Sequence, residues 1–235
     1  MVSPLLAFEG CSPSRSALAG IIASTTVILG GVKQIFVLIV AIGLIETADA
    51  QEAAPKHEIG LTLGRLFQTE RSGGSVRLDL GSGTALQANY GYRLLGGNTA
   101  SLYGEIHFLA NPLREVSSAD RSLTRDVATI FLTPGVRLKL YPKRNVSPYF
   151  AAGAGLAVYE QSLSTLDGRT NPASRVVNHG AFNYGAGLDF KLWRFIGLRA
   201  EVRDFYAASP SYNTRAIGGG QHNVVAGGGF VLRFR

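Results

Sequence analysis

Charged side chains recur at every second position in several segments of the 235-residue sequence. Arg199, Glu201 and Arg203 show this spacing best, with a carboxylate between two guanidinium groups. A spacing of two puts side chains on one face of a β-strand, where charges on neighbouring strands can pair. Ten residues belong to such a charged face: Arg93, Glu105, Arg137, Lys139, Asp189, Lys191, Arg199, Glu201, Arg203 and Arg233.

The histidines are the other side chains that could do chemistry, as general bases or as metal ligands. His107, His179 and His222 fall near strand ends, where a carboxylate could orient an imidazole. The carboxylates placed for that role are Asp120, Asp126 and Asp204. Scattered histidines are nevertheless typical of ordinary surfaces, and no His-Glu-x-x-His, Cys-x-x-Cys or Gly-x-Ser-x-Gly motif occurs. The sequence therefore predicts no enzyme, no cofactor and no metal site.

Eight segments alternate apolar and polar residues, which is the pattern of strands with one apolar face. The last segment places Ala226, Phe230 and Leu232 on one face, and Gly229 and Arg233 on the other. The 29 glycines argue against a helical protein, because glycine in a helix interior costs about 1 kcal/mol. The predicted strands span about 57–67, 84–94, 99–109, 127–140, 148–159, 179–191, 196–205 and 224–235.

The connections between these strands alternate between short and long. The short ones follow the second, fourth and sixth strands, at 95–98, 141–147 and 192–195. The long, polar ones follow the odd-numbered strands, at 68–83, 110–126, 160–178 and 207–221. This alternation is how an up-and-down outer-membrane barrel distinguishes periplasmic turns from extracellular loops.

We therefore predict an all-β fold, an eight-stranded antiparallel up-and-down transmembrane β-barrel over residues 51–235. Its apolar faces would meet lipid, and its other faces would converge on a lumen. Because an interior of this size is filled by side chains, the ten charged residues must pair. A salt-bridge plug that holds the barrel shut is the favoured interpretation, and an ion path is the alternative. Pro134 lacks a ladder donor and predicts a β-bulge.

Aromatic residues fall at two heights along the predicted strands, as in the interfacial belts of a membrane barrel. Ordinary core packing is the alternative interpretation. The group near the short turns comprises Tyr92, Tyr141, Tyr149, Trp193, Phe195 and Phe234. The group near the long loops comprises Phe67, Phe108, Tyr159, Phe182 and Tyr206.

Residues 32–50 have the three parts of a cleavable secretory signal peptide. Lys33 supplies the positive charge, and residues 35–45 form the apolar core. Ala48 and Ala50 form a small-x-small site, which predicts cleavage after Ala50.

Residues 1–31 have no role in that signal peptide. They are either a non-native extension, with translation beginning at Val32 from a GTG codon, or a long n-region. A membrane anchor over 17–45, interrupted only by Lys33, is a further alternative.

The formal net charge is +7, but the basic residues are spread singly, so nucleic-acid binding is not predicted. The first interpretation of the arginines in the long loops is that they lie on a solvated surface. They could also hold the phosphates and acidic sugars of outer-leaflet glycolipid, which guanidinium groups match bidentately. These loop arginines are Arg71, Arg77, Arg114, Arg121, Arg125, Arg169, Arg175 and Arg215.

With these features the chain resembles the small outer-membrane β-barrel family of OmpA-like, OmpX-like and opacity-type barrels. The segments that carry the resemblance are 148–155, 198–205 and the terminal Gly229-x-x-Leu232-x-Phe234. The resemblance implies insertion by the barrel assembly machinery, which reads the terminal strand and its aromatic residue. The family's usual last residue is aromatic, whereas here Arg235 follows Phe234.

The predicted function is that of a monomeric outer-membrane barrel with a plugged, charged lumen and four polar extracellular loops. Its role would be structural or in surface interaction, with outer-membrane lipid, glycolipid and the assembly machinery as partners. The alternatives are a narrow, porin-like pore or transporter of small solutes and a lipid-modifying enzyme. A soluble lipocalin-like carrier would need an apolar interior, whereas this one is predicted to be charged.

Overall fold

The computed structural model describes residues 55–68, 70–73, 76–214 and 217–235. The signal peptide predicted at 32–50, its cleavage site and the extension at 1–31 lie outside these ranges. In the described part of the chain, no helix is long and apolar enough to cross a membrane. Its strands are β1 (His57–Gln68), β2 (Arg71–Gly73), β3 (Val76–Leu80), β4 (Gly83–Gly96), β5 (Ala100–Ser117), β6 (Asp126–Leu140), β7 (Val146–Gln161), β8 (Val176–Lys191), β9 (Ile196–Ala208) and β10 (Gly220–Phe234).

Eight of these strands, β1 and β4 to β10, close into a barrel. Each pairs antiparallel with the barrel strands before and after it, and β10 returns to β1. The closing register runs from His57 opposite Phe234 to Gln68 opposite Asn223. Closure leaves these strands without a free edge. The prediction of an eight-stranded antiparallel up-and-down barrel is confirmed.

Two short strands, β2 and β3, form a hairpin where the sequence predicted only a long loop. β3 pairs with the upper end of β5, which continues to Ser117. The hairpin forms because its apolar residues alternate with charged ones and bury Leu78 and Leu80 against the barrel. The first long connection is therefore partly ordered as sheet.

The prediction of a β-bulge at Pro134 is wrong. Between β6 and β7 the ladder omits the pairs at Thr133 and Pro134 and resumes at Gly135 without a register shift. The irregular positions lie in other strand pairs, between Arg93 and Leu95 on β4 and between Asn111 and Arg114 on β5. The sheet therefore accommodates the missing proline donor without inserting a residue.

The two aromatic groups face outward with two exceptions. Tyr149 and Tyr159, predicted to lie in the belts, are buried inside the barrel because odd-numbered residues of β7 point inward. The exposed aromatic residues near the short turns include Tyr92, Tyr141, Trp193 and Phe195. Those near the long loops include Phe67, Phe182 and Tyr206.

Inward-facing glycines let neighbouring strands approach closely. At the seam between β1 and β10, Gly64 lies opposite Gly227, and Gly229 lies opposite Thr62. A Cβ atom built on Gly229 would lie 2.7 Å from Cα of Thr62, so strand β1 would have to move. Its neighbour Gly228 would place a Cβ no closer than 3.4 Å to another atom.

We therefore expect Gly229→Ala to lower the free energy of unfolding by about 1–3 kcal/mol, the usual cost of overpacking. Urea unfolding of the barrel in vesicles measures the effect. Gly228→Ala is the matched control, and its expected change is within about 0.5 kcal/mol. Equal effects of the two substitutions would show that close approach at the seam does not limit stability.

Candidate functional site

The inward-facing charged residues meet in the half of the barrel that lies next to the short turns. Because successive side chains of a strand point to opposite faces, these residues all face the interior. Antiparallel pairing brings them to similar heights in the barrel. These side chains are at most 3% exposed, apart from Arg233 at 11%. The interior charge network consists of Glu58, Glu105, Arg137, Lys139, Asp189, Arg199, Glu201, Arg203 and Arg233.

Glu58 lies at the centre of this network, although the sequence analysis did not select it. Its Oε2 accepts a hydrogen bond from Arg137 Nη2 at 2.8 Å, and its Oε1 lies 2.5 Å from Lys139 Nζ. Arg199 and Arg233 approach the same carboxylate at 3.5 and 3.4 Å. The sequence did contain the signal for an inward-facing Glu58, because position 58 is on the face of β1 opposite the apolar Ile59, Leu61 and Leu63.

Asp189 is the second carboxylate at this level. Arg199 donates to it bidentately, from Nε to Oδ1 at 2.7 Å and from Nη2 to Oδ2 at 3.0 Å. Lys139 Nζ lies 2.6 Å from Oδ2, so this ammonium bridges the carboxylates of Asp189 and Glu58. Arg233, on the closing strand, lies 3.5 Å from Asp189. Cations from three strands, β6, β9 and β10, therefore meet around two carboxylates.

A second group of charges lies one layer further from the short turns. Arg203 pairs with Glu105 at 2.7 Å and with Glu201 at 3.1 Å. Tyr149 donates its hydroxyl to Glu201 at 2.7 Å, and Thr62 donates to the same carboxylate at 3.0 Å. The two layers are joined by Arg137, whose Nε lies 3.3 Å from Glu105.

The network holds four carboxylates and five cations. Aromatic rings complement the cations, because the face of a ring attracts positive charge. The guanidinium carbon of Arg137 lies 5.1 Å from the ring centre of Tyr103, and that of Arg199 lies 4.9 Å from the ring centre of Tyr149. Nearly balanced charge, with an opposite charge within 3.4 Å of each group, is the arrangement that permits burial.

Two further residues were assigned to the charged face. Lys191 ends β8, and its side chain is exposed. Arg93 is half-buried on β4, where it lies opposite the buried Tyr103 of β5 and close to Gly96.

A neutral polar layer separates the charges from the rest of the interior. Gln87 donates to Thr62 Oγ1 at 3.1 Å, and its own Oε1 lies 3.1 Å from His107 Nε2. His107, which the sequence placed near the rim, is fully buried, and its ring lies 5.6 Å from that of Phe205. This histidine is therefore part of the barrel interior.

The interior next to the long loops contains an apolar core, which the sequence analysis did not predict. Phe131 and Phe205 pack with ring centres 5.0 Å apart, and Tyr159 meets Phe131 edge-on at 6.2 Å. Inward-facing strand residues supply one part of this core: Leu66, Ala85, Leu109, Val127, Ala157, Ala181, Ala207 and Val225. Residues above the barrel supply the other part: Leu78, Leu80, Val116, Leu123, Tyr212 and Ile217.

Arg114 was predicted to lie in a long loop, on a solvated surface or in contact with glycolipid, and that prediction is wrong. The irregularity between Asn111 and Arg114 reverses the inward parity of β5 and turns the guanidinium into the barrel. Arg114 is 1% exposed and donates to Gln68 at 2.5 Å and to Thr129 at 3.0 Å. These partners are neutral.

Three long connections are hydrogen-bonded to one another above the apolar core. Thr124 N donates to Tyr212 O at 3.2 Å, and Leu166 N donates to Leu123 O at 2.9 Å. Arg121 adds a side-chain bond to Leu166 O at 2.9 Å. These bonds link the β5–β6, β7–β8 and β9–β10 connections. Burial raises the pKa of Tyr212, which keeps its hydroxyl protonated while it donates to Gln221.

The other loop arginines differ in exposure. Arg71 donates to Ser209 and to Gly218 O, each at 2.5 Å. Arg175 pairs with Glu160 at 2.7 Å, and Arg169 pairs with Asp167 at 3.3 Å. The exposed guanidinium groups belong to Arg77, Arg121, Arg125, Arg169 and Arg175. Arg215 lies outside the described residues.

The residues predicted as the insertion signal all lie in β10. Gly229 faces inward at the seam, and Leu232 and Phe234 belong to the outward-facing set. The ring of Phe234 stacks on His57 of β1, with centres 5.3 Å apart. No group of three or more metal-ligating side chains occurs in the part of the chain that the structure describes.

The chain is similar to known outer-membrane proteins in sequence pattern and in fold. The family model for the outer membrane protein beta-barrel domain matches residues 36–234. The outer membrane protein OprG from Pseudomonas aeruginosa has a TM-score of 0.50 and 15% identity, covering 77% of this chain and 97% of its own. No curated protein matches the sequence.

Two further solved structures share less of the geometry. Neisserial surface protein A has a TM-score of 0.48 and 14% identity, covering 78% of this chain and 100% of its own. Ail of Yersinia pestis, in complex with the heparin analogue sucrose octasulfate, has a TM-score of 0.42 and 18% identity, covering 75% of this chain and 99% of its own.

Glu58→Gln tests whether the charge network depends on its central carboxylate. The substitution leaves buried cations without their counter-charge, so we expect the free energy of unfolding to fall by about 3–5 kcal/mol in urea titrations. Glu160→Gln, which removes a partly exposed partner of Arg175, should cost about 0–1 kcal/mol. A Glu58 variant as stable as the Glu160 variant would contradict the central role of this carboxylate.

Proposed function

The chain belongs to the outer membrane protein beta-barrel domain family, and on this basis we propose that it is a non-conducting surface barrel whose loops meet the outer glycolipid leaflet. It is an integral protein of the bacterial outer membrane. Its role is structural or in surface interaction, and it requires no cofactor and no catalytic step.

The change of interior from charged to apolar is the single observation that carries this proposal. An eight-stranded barrel is only wide enough inside to be filled by side chains. A hydrated ion entering from the short-turn end would have to displace the ion pairs around Glu58 and Asp189. It would then meet the packed core around Phe131 and Phe205, whose ring centres lie 5.0 Å apart, and the buried guanidinium of Arg114, which repels a cation. Two different layers thus oppose the same ion.

The linked connections support a surface role in preference to transport. Leu123 and Tyr212 anchor their loops by burying side chains in the apolar core, and Arg121 and Arg125 beside Leu123 are exposed. The exposed guanidinium groups of Arg77, Arg125 and Arg169 suit the phosphates and acidic sugars of glycolipid. We include glycolipid contact at these residues in the proposal.

Insertion and assembly form a further part of the proposal. The barrel assembly machinery would read β10 through Gly229, Leu232 and Phe234, with Arg235 as a departure from the usual aromatic end. A closed barrel without a free edge needs no second copy to complete its sheet, so we propose a monomer. Export would depend on the signal peptide at 32–50.

An absence of catalysis is proposed because the described histidines, including the His222 that Asp204 orients on the outer wall, lack the serine nucleophile of a catalytic arrangement. His107 is hydrogen-bonded to Gln87 and is enclosed by the barrel, out of reach of lipid. In the described ranges, no serine is hydrogen-bonded to a histidine, as a serine nucleophile and its base would require. Lipid analysis of a deletion strain tests this part, and a lipid species that changes only in that strain would contradict it.

Planar-bilayer recording is the decisive measurement for the closed interior. We expect the purified barrel to give no stable conductance steps at moderate voltage, because both interior layers exclude ions. A porin inserted under the same conditions is the positive control. A large, stable conductance would overturn the proposal in favour of a narrow pore.

Surface labelling of cysteine variants tests which end of the barrel faces the medium. In a Cys11→Ser background, we expect Asp167→Cys in the β7–β8 loop to react with a membrane-impermeant maleimide on intact cells. Asn145→Cys, exposed in the short β6–β7 turn, should react only after lysis. The reverse labelling pattern would place the linked loops in the periplasm.

A further inference from the structure

Asp204 places a carboxylate on the outer wall of the barrel. The even-numbered residues of β9 point outward, as the exposed Leu198, Val202 and Tyr206 show. A charged side chain on a lipid-facing wall is destabilising, and residues of this kind usually mark functional sites. The charge network inside the barrel does not use Asp204, because its partners lie on the same outer wall.

Two donors from neighbouring strands hold this carboxylate. His222 Nδ1 on β10 lies 2.6 Å from Asp204 Oδ2, and the hydroxyl of Tyr184 on β8 donates to the same oxygen at 2.8 Å. Tyr206 packs against the imidazole, with ring centres 4.8 Å apart. We call Tyr184, Asp204, Tyr206 and His222 the outer-wall polar cluster. It lies at the height of the aromatic belt next to the long loops.

The cluster fixes the orientation of the imidazole. Because an ionised carboxylate can only accept, His222 must donate from Nδ1, which leaves Nε2 as the ring atom available to a ligand. The His222 side chain is 55% exposed, whereas that of Asp204 is 12% exposed. The histidine therefore presents a polar atom to the membrane, and the aspartate supports it from behind.

A shallow apolar groove begins at this cluster and continues along the wall. Its apolar lining includes Phe150, Tyr184, Ala186, Val202 and Val224. Asp204 contributes to the same lining, so the groove is apolar along its length and polar at the end where the cluster lies. This combination has the shape and polarity of a lipid, with an acyl chain attached to a headgroup.

We propose that the outer-wall polar cluster and its groove bind one glycolipid molecule of the outer leaflet. A sugar hydroxyl donates to His222 Nε2 and packs on the Tyr206 ring, and an acyl chain lies over Ala186. A hydroxyl is the favoured group because the adjacent Asp204 carboxylate repels a phosphate. The inference rests on the proposed exposure of this wall to the glycolipid leaflet, and it names the residues that hold the lipid.

The barrel carries a natural comparison site at its other end. His57 also contacts a tyrosine hydroxyl on the outer wall, with Nδ1 lying 2.7 Å from the Tyr90 oxygen. Its ring stacks on Phe234, and no carboxylate forms an ion pair with it among the described residues. His57 lies next to the short turns and so faces the opposite leaflet. Replacing it controls for the loss of any wall histidine.

The experiment counts glycolipid retained by the protein purified from outer membranes in mild detergent, using native mass spectrometry. We expect the wild-type barrel and His57→Phe to retain one molecule. His222→Phe removes the hydrogen-bond acceptor, and Ala186→Leu fills the groove. Each variant should reduce the retained fraction of glycolipid about tenfold, which is the effect of losing one charge-supported hydrogen bond or an equivalent contact. Heat-modifiable gel migration checks that each variant is folded.

A second arm identifies the headgroup that is bound. The barrel refolded into phosphatidylglycerol vesicles is titrated with intact and with dephosphorylated glycolipid, and His222→Phe is expected to reduce retention of both forms to the same extent. An effect of His222→Phe that is seen only with the phosphorylated form would overturn the assignment to a sugar hydroxyl. Equal retention by wild type, His222→Phe and Ala186→Leu, or an equal loss in His57→Phe, would overturn the site.

A second variant and two further measurements separate a failure of this site from a failure of the whole barrel. If His222→Phe does not fold, Tyr184→Phe removes one donor to Asp204 and retains the ring, so a smaller decrease in retention is expected from it and no decrease would contradict the site. Bilayer conductance and maleimide labelling are measured on the same preparations. A closed, correctly oriented barrel that retains no glycolipid would refute this inference alone, whereas a conducting or inverted barrel would refute the proposed function.

Discussion

The pairing of charge in a narrow interior is the constraint on which this structure depends. An eight-stranded barrel has room inside for side chains only, so a buried carboxylate must find its cations among residues of distant strands. Glu58 does so with Arg137, Lys139 and Arg199, at 2.8, 2.5 and 3.5 Å. Strand register and the inward glycines serve this pairing, because they decide which charges stand at the same height.

The strands of the membrane region could be predicted from sequence because the lipid face requires an apolar residue at every second position. The ends near the long loops could not be predicted, because the sheet continues there without contact with lipid. β5 extends to Ser117, and the hairpin of β2 and β3 joins it through Leu80 and Val116. In that region the apolar side chains are buried against loops and not in lipid. The alternation of apolar and polar residues is therefore shorter there and includes charged residues.

The interior was predicted only in part, for reasons that lie in the geometry. The alternation of inward and outward positions along each strand identified charged residues such as Arg199. Their partners depend on the register between strands, and a single sequence does not reveal that register. Arg114 was misplaced because an irregularity in β5 reverses parity within three residues. The apolar upper interior was missed because Phe131 is inward-facing on a strand whose outer face is also apolar, so the two faces look alike.

The central carboxylate belongs to the first strand of the barrel, and its partners lie on β6, β9 and β10. A chain that has placed only its early strands therefore carries an uncompensated negative charge that water must solvate. The last strand brings Arg233 to both Glu58 and Asp189 as it closes the seam. Pairing of the interior charges is thereby tied to closure of the sheet, because Arg233 reaches both carboxylates only where β10 has paired with β1.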